Sequence, residues 1–138
     1  MCEVLKAAGE KLITDGTDNH LIMWDVRPHG VFGSKVDKVL DVMHITCNKN
    51  SVVGDRSAVT PGGVRIGTPA MTTRGMKEPE MARIAGFLLK AVVIAKRIQD
   101  TAGKKLAEFN PAAESDAEIA TLREEVHAFA SQYPMPGV

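Results

Sequence analysis

The stretch from Gly62 to Gly75 constrains the fold of this chain most. Apolar residues flank Arg65 in a short strand pattern bounded by glycines, and a Thr-Pro bend follows it. A guanidinium held on a strand presents a planar fork of donors that matches a carboxylate in two parallel hydrogen bonds. Arg65 is therefore a candidate anion receptor, although a structural ion pair or a solvated position is the commoner role of an arginine in such a context.

Two strands are predicted before this stretch, over 11–14 and 20–26, because both runs are rich in strand formers. Residues 15–19 between them are dense in turn formers. The second run is apolar on both faces for most of its length, which predicts a strand inside the sheet. In the turn, Asp18 and His20 form either a catalytic acid-base pair or, as is more common, hydrogen bonds that fix the turn.

A helix is predicted next, because Ser34 with Asp37 three positions later resembles a capping box. The apolar residues that follow have the spacing of one helix face: Val36, Val39, Leu40 and Met43. We expect this helix to lie on the sheet. Residues 45–47 are then predicted to form a short strand.

Residues 48–51 are predicted to turn out of that strand into a long loop that ends near Gly63. Loops of this length with little structure of their own are uncommon unless they carry a site. The amides of Asn48 and Asn50 offer both donor and acceptor, as recognition of a heterocycle edge requires. Simple turn contacts are the open alternative for both.

The second half of the chain is predicted to be helical, with Pro79 in the first turn of a long helix. Its core face is traced by Met81, Ile84, Ala85, Leu88, Val92, Ala95 and Ile98. Residues 101–103 end this helix, 108–111 form a link, and Ser115 with Glu118 caps a last helix. The order of the predicted strands and helices indicates a two-layer α/β domain. This is an α+β sandwich with helices on one side of a small sheet of mixed strand directions.

The composition excludes several functions. Seventeen basic and seventeen acidic residues cancel, and aromatic residues make up 4%, so neither nucleic acid nor an anionic membrane is expected as partner. Two cysteines and four scattered histidines give no disulfide framework or metal site, which suits a reducing compartment. The first residues are predicted to be the end of a helix stopped by Gly9, as in a piece of a larger protein.

Four motifs stand in the sequence in this order: Thr17-Asp18-Asn19-His20-Leu21, Cys47-Asn48-Lys49-Asn50, Gly54-Asp55-Arg56-Ser57-Ala58 and the run from Gly63 to Gly75. In order and spacing, these motifs resemble serine hydroxymethyltransferase over most of the chain. The form of the third motif is similar to eukaryotic members of that family.

The resemblance implies the C-terminal small domain of a fold-type I enzyme, related to aspartate aminotransferase, that uses pyridoxal phosphate and tetrahydrofolate to interconvert serine and glycine. It implies that Arg65 binds the substrate carboxylate and Asn50 the folate. Supporting roles fall to Thr68, Arg74 and His20, and no metal is implied.

The resemblance places the catalytic large domain, with its cofactor-binding lysine, outside this chain. We expect one domain over 1–138: an interdomain helix end at 1–10, the sheet and substrate loop at 11–75, and a helical cover at 76–138. The chain alone is expected to be inactive. The complete protein is expected to be a cytoplasmic, or else mitochondrial, homo-oligomer in which this domain packs on its own large domain.

Two alternatives remain open at the level of sequence. The chain fits a stand-alone binding or interaction module that keeps the fold without catalysis. It also fits the small domain of another fold-type I enzyme, but that enzyme has no use for a pterin contact at Asn48–Asn50.

Overall fold

The structure is a computed structural model that describes residues 1–17, 19–57 and 59–137. Two short 3₁₀ turns, at Ile13–Asp15 and Arg27–His29, flank the second strand. The strands and helices are, in chain order, α1 (Cys2–Ala7), β1 (Lys11–Leu12), β2 (Leu21–Asp25), α2 (Gly33–Val42), β3 (Asn48–Asn50), β4 (Gly63–Gly67), α3 (Pro69–Thr73), α4 (Glu78–Ala102), α5 (Leu106–Glu114) and α6 (Ala117–Ala130).

The four strands form one sheet in the order β1-β2-β4-β3. Every neighbouring pair is antiparallel, so the prediction of mixed strand directions is wrong. The prediction that the second strand lies inside the sheet is confirmed, because β2 pairs with β1 on one side and β4 on the other. Five residue pairs join β2 to β4, from Leu21 opposite Gly67 to Asp25 opposite Gly63.

Helices cover one face of this sheet, which confirms the predicted α/β class. Alternate residues of the central strands are buried among helical side chains: Ile22, Trp24, Val64 and Ile66. Leu21 and Arg65 lie on the opposite, helix-free face and are exposed. Alternation along a strand sends successive side chains to opposite faces, which explains the division.

The predicted apolar stripes of α2 and α4 do form the core, and their buried members include Val36, Leu40 and Leu88. The predicted cap at Ser34 is wrong. The N-cap residue is Phe32, which makes no side-chain capping bond. The backbone N–H of Gly33 donates instead to the carbonyl of Pro61 at 2.8 Å. A tertiary contact thus satisfies one donor that a cap would otherwise serve.

Two predicted strands differ in the structure. β1 stops at Leu12 because Thr14 and Asp15 adopt left-handed φ values of 60° and 58°, which a strand excludes. The predicted strand at 45–47 does not form, and the strand lies at Asn48–Asn50, where a turn was predicted. The end of α2 explains the shift, because the Ile45 N–H still bonds back to the Leu40 carbonyl at 2.8 Å.

Two helices that follow β4, α3 and α5, were not predicted from the sequence. The Thr-Pro bend begins α3, and the link predicted at 108–111 is part of α5, which contains Pro111 in its interior. Buried Phe109 and Ala113 anchor α5 to the core. The predicted cap at Ser115 is wrong, because Asp116 is the N-cap of α6 and accepts from the Ile119 N–H at 3.0 Å.

Candidate functional site

Arg65 lies in the middle of β4, an inner strand of the sheet. It is directly opposite Met23 of β2 and Asn48 of β3, so backbone pairing on both sides fixes its position. The side chain is exposed on the helix-free face. Within the described residues, its guanidinium makes no hydrogen bond or ion pair. A rigidly mounted, solvent-facing fork of this kind can receive a carboxylate in bidentate geometry.

A groove of about 290 Å³ runs beside Arg65. Its far wall is the turn before β2, and the groove is lined by Ile13, Thr14, Gly16, Thr17, Asn19, Leu21, Ile22, Met23 and Arg65. The Asn19 side-chain oxygen accepts from the Thr17 hydroxyl at 3.0 Å and from the Leu21 N–H at 2.8 Å. These local bonds hold the turn in shape next to the guanidinium.

Asn50 is on the same face of the sheet as Arg65. The register places Asn48 opposite Arg65 and Asn50 opposite Gly63, and residues two apart on a strand share a face. The Asn50 amide nitrogen donates to the Ser51 carbonyl at 2.9 Å. Its carboxamide oxygen has no donor among the described residues, so it can accept a hydrogen bond from a ligand.

His20 and Thr68 line a second groove, of about 670 Å³, that shares Thr17, Asn19 and Ile22 with the first. The Thr68 N–H donates to the His20 carbonyl at 3.3 Å, which joins the ends of β2 and β4. His20 is exposed. Asp18, the other member of the pair considered for this turn, lies outside the described residues.

Arg74 is held in a different place. Its guanidinium donates to the carbonyls of Ala130 at 2.7 Å, Tyr133 at 3.1 Å and Pro134 at 3.0 Å. These carbonyls lie at and beyond the C-terminal end of α6, where unsatisfied acceptors and the helix dipole favour a cation. In the structure, therefore, Arg74 fastens the C-terminal turn to α3 and does not share the groove of Arg65.

Known proteins match this chain closely. The family model described as serine hydroxymethyltransferase matches residues 1–88. The chain is 47% identical to serine hydroxymethyltransferase 4 of Arabidopsis thaliana over 96% of its length, and 48% identical to the cytosolic serine hydroxymethyltransferase of Aspergillus fumigatus over 95%. It is 42% identical to the serine hydroxymethyltransferase of Caenorhabditis elegans over 99% of its length.

The chain belongs to the serine hydroxymethyltransferase family. It spans 28% of the Arabidopsis relative, 29% of the Aspergillus relative and 28% of the Caenorhabditis relative.

Sequence reasoning missed an arginine bridge in this chain. Arg27 donates to Asp25 through Nε at 2.9 Å and Nη2 at 2.8 Å, and to Asp55 through Nη1 at 3.1 Å. Lys11 adds an ion pair to Asp25 at 3.0 Å. Because 28 positions separate Arg27 from Asp55, no local spacing signals the contact. The sequence marked Asp55 as a member of the third motif, but it did not indicate a contact with Arg27.

The electrostatics of the bridge keep both carboxylates ionised. Burial raises the pKa of Asp25, but hydrogen bonds from Arg27 and Lys11 outweigh it and lower the pKa to about 2. The backbone N–H groups of Gly62 and Val52 hold the pKa of Asp55 below its usual value. The bridge is therefore fully charged at neutral pH.

Neither the Cys47 thiol nor any metal-ligating cluster among the described residues offers a competing site. Burial, with a smaller effect of nearby Asp37, raises the pKa of the Cys47 thiol to about 11, so it stays protonated at neutral pH and is a poor nucleophile. In the described ranges, no three His, Cys, Asp or Glu side chains come together in a way that could hold a metal ion. Nor does any described helix combine the length and apolar character needed to cross a membrane.

Proposed function

We propose that the complete protein containing this chain is a serine hydroxymethyltransferase that interconverts serine and glycine and transfers a one-carbon unit to and from tetrahydrofolate. One observation carries the proposal. Arg65 presents an exposed guanidinium, without a partner among the described residues, on the same sheet face as Asn50. One side chain suits the carboxylate of an amino acid, and the other suits the edge of a heterocycle.

In this proposal Arg65 binds and orients the amino acid. Two parallel charge-assisted bonds fix the plane of the carboxylate, and the paired strands on both sides keep the guanidinium from turning away. Its contribution is orientation, which limits the rotations available to the substrate. Asn50 contacts the pterin of the folate, and its free carboxamide oxygen accepts from a ring N–H. Thr68 and His20 shape the neighbouring groove, and Arg74 has a supporting role outside both grooves, through its bonds to the C-terminal turn.

Two lysines of this chain, Lys11 and Lys35, are engaged by other side chains and do not fit the role of holding pyridoxal phosphate, the cofactor that the family implies. Lys11 lies on the face of Arg65, but Asp25 binds its ammonium at 3.0 Å. Lys35 is buried on the helical side, where it donates to Gln99. We therefore propose that the cofactor is held by a large domain outside this chain, and that the 138 residues alone do not turn over serine.

The remaining proposals follow from family membership. The domain is the C-terminal small domain of a fold-type I enzyme, packed on its own large domain in a homo-oligomer. The Aspergillus relative is named as cytosolic and an Arabidopsis relative as chloroplastic. We place the complete protein in the cytoplasm, with the mitochondrion as the alternative.

The folate contact is tested by Asn50→Ala in the complete enzyme. Loss of one or two hydrogen bonds is expected to raise the KM for tetrahydrofolate about five- to thirtyfold, while serine binding stays within about twofold. Steady-state kinetics with each substrate varied in turn measures both. Ser51→Ala, which trims an exposed neighbour, is the matched control and should change neither value. An unchanged folate KM in Asn50→Ala refutes this contact.

A further inference from the structure

The arginine bridge lies at the base of the loop that separates β3 from β4. We propose that Asp55 and Arg27 are positioning residues that hold Asn50 in register opposite Gly63, on the face of Arg65, and so set folate binding without touching the folate. This inference rests on the proposed function, because it concerns the same site.

Asp55 closes the loop at both ends. Its Oδ2 accepts from the N–H of Val52 and from the N–H of Gly62, each at 2.9 Å. Val52 comes two residues after the end of β3, and Gly62 immediately precedes β4. One carboxylate therefore ties together two backbone positions that are far apart in sequence, and only 7% of its side chain is exposed. Such buried, charge-assisted bonds are among the stronger ones in a protein.

Arg27 attaches this closed loop to the sheet. The same guanidinium reaches Asp25 at the end of β2, Asp55, and the carbonyl of Val53 at 3.0 Å. A Cβ at Gly62 would lie 2.5 Å from the Arg27 Cδ, so only glycine lets the arginine pack this closely. The glycine beside the Arg65 strand is thus explained by the bridge.

The position of Asn50 depends on this loop more than the position of Arg65 does. β3 is a three-residue strand at the edge of the sheet, and among the described residues it pairs with β4 alone, whereas β4 is paired along both sides. Beyond Asn50, the chain is held by the Asp55 bond to Val52 and by the burial of the Val52 side chain. Loss of the bridge is therefore expected to free Asn50 while Arg65 stays in place.

The test compares Asp55→Ala and Asp55→Asn with the control Arg56→Ala, which removes an exposed side chain from the same loop. In the complete enzyme, Asp55→Ala is expected to raise the KM for tetrahydrofolate about tenfold, with serine KM and kcat within about twofold. Asp55→Asn keeps an acceptor for the two N–H groups but loses the ion pair, so its effect should be smaller. Arg56→Ala should behave as the wild type.

Hydrogen exchange in the 138-residue chain gives a second readout that does not depend on activity. Faster exchange is expected at residues 48–53 in Asp55→Ala, with residues 64–66 unchanged. If Asp55→Ala does not fold, Asp55→Asn carries both measurements. The positioning role is overturned if serine and folate KM rise together, or if Asp55→Asn and Asp55→Ala leave both exchange at 48–53 and folate KM unchanged.

The two proposals fail in different ways. If Asn50→Ala raises the folate KM and the Asp55 variants do not, the folate contact stands and the positioning role is wrong. If Asn50→Ala has no effect although the Asp55 variants speed exchange at 48–53, the bridge orders the loop but the proposed folate contact is wrong.

Discussion

Two arginines near the sheet have the same chemistry and opposite surroundings. Arg27 is enclosed between two carboxylates that its guanidinium bridges. Arg65 faces solvent and has no partner among the described residues. The difference follows from strand register and loop closure, because both determine which acidic groups reach each side chain. Neither strand register nor loop closure can be read from a short stretch of sequence. The role predicted for Arg65 therefore depended on the motifs around it.

Helix capping is also decided at the scale of single residues. Asp116 accepts from the Ile119 N–H at 3.0 Å and pairs with Arg97 at 2.8 Å, whereas the Ser115 hydroxyl donates to carbonyls of the preceding helix. Sequence spacing favoured Ser115, because Ser-x-x-Glu is the better known signature. The structure shows that the cap lies one residue later.

Asp116→Ala is expected to destabilise the chain by about 1–2 kcal/mol, because it removes the cap of α6. Ser115→Ala is the matched control and is expected to stay within about 0.5 kcal/mol of the wild type. Urea unfolding of the 138-residue chain, followed by circular dichroism, measures both. A larger loss for Ser115→Ala than for Asp116→Ala would reverse the assignment of the cap.

At the scale of elements, the sequence predicted the long, periodic helices well and the short elements poorly. The apolar period of α4 survives in the structure, since Met81, Leu88 and Ile98 are all buried. The polar strand β3 has no such period and exists because it pairs with β4. α5 was hidden by Pro111, whose helix-breaking tendency is overcome by the burial of Phe109. In both β3 and α5, tertiary contacts outweigh local propensity.

The packing of α2 and α4 is tested by two glycine-to-alanine substitutions. An added Cβ at Gly33 would overlap the Gly63 carbonyl where α2 meets β4, so Gly33→Ala is expected to cost about 1–3 kcal/mol. Gly86 lies inside α4, and apart from its chain neighbours and the nearby backbone of the same helix, no atom of the described residues lies within 4 Å of an added Cβ. Gly86→Ala is expected to stabilise the chain by about 0.5–1 kcal/mol.

The two substitutions serve as each other's control in the same urea titration, because each adds one methyl group. Opposite signs are expected for the two changes in free energy of unfolding. Destabilisation of similar size by both would mean that α4 is more tightly packed around Gly86 than the structure shows.

At the scale of the whole molecule, the sheet divides the protein into a packed side and an open side. Helices bury one face, while Leu21 and Arg65 remain exposed on the other. The chain spans 28% of the Arabidopsis relative, which leaves a large part of that relative without a counterpart here. We propose that this open face meets the large domain in the complete protein. The order of strands and helices in the sequence predicted that helices lie on one side of the sheet; the sequence did not predict the bridge that supports the loop.

The central claim is that Arg65 binds the carboxylate of the amino acid, and Arg65→Lys tests it most directly. Lysine keeps the positive charge but loses the planar fork, so about 1.5–3 kcal/mol of binding should be lost. Calorimetric titration of the complete enzyme with serine is expected to show a Kd raised about 10- to 150-fold. Arg56→Lys, an exposed arginine on the neighbouring loop, should leave the Kd unchanged. A serine Kd within twofold of the wild type in Arg65→Lys would contradict the claim.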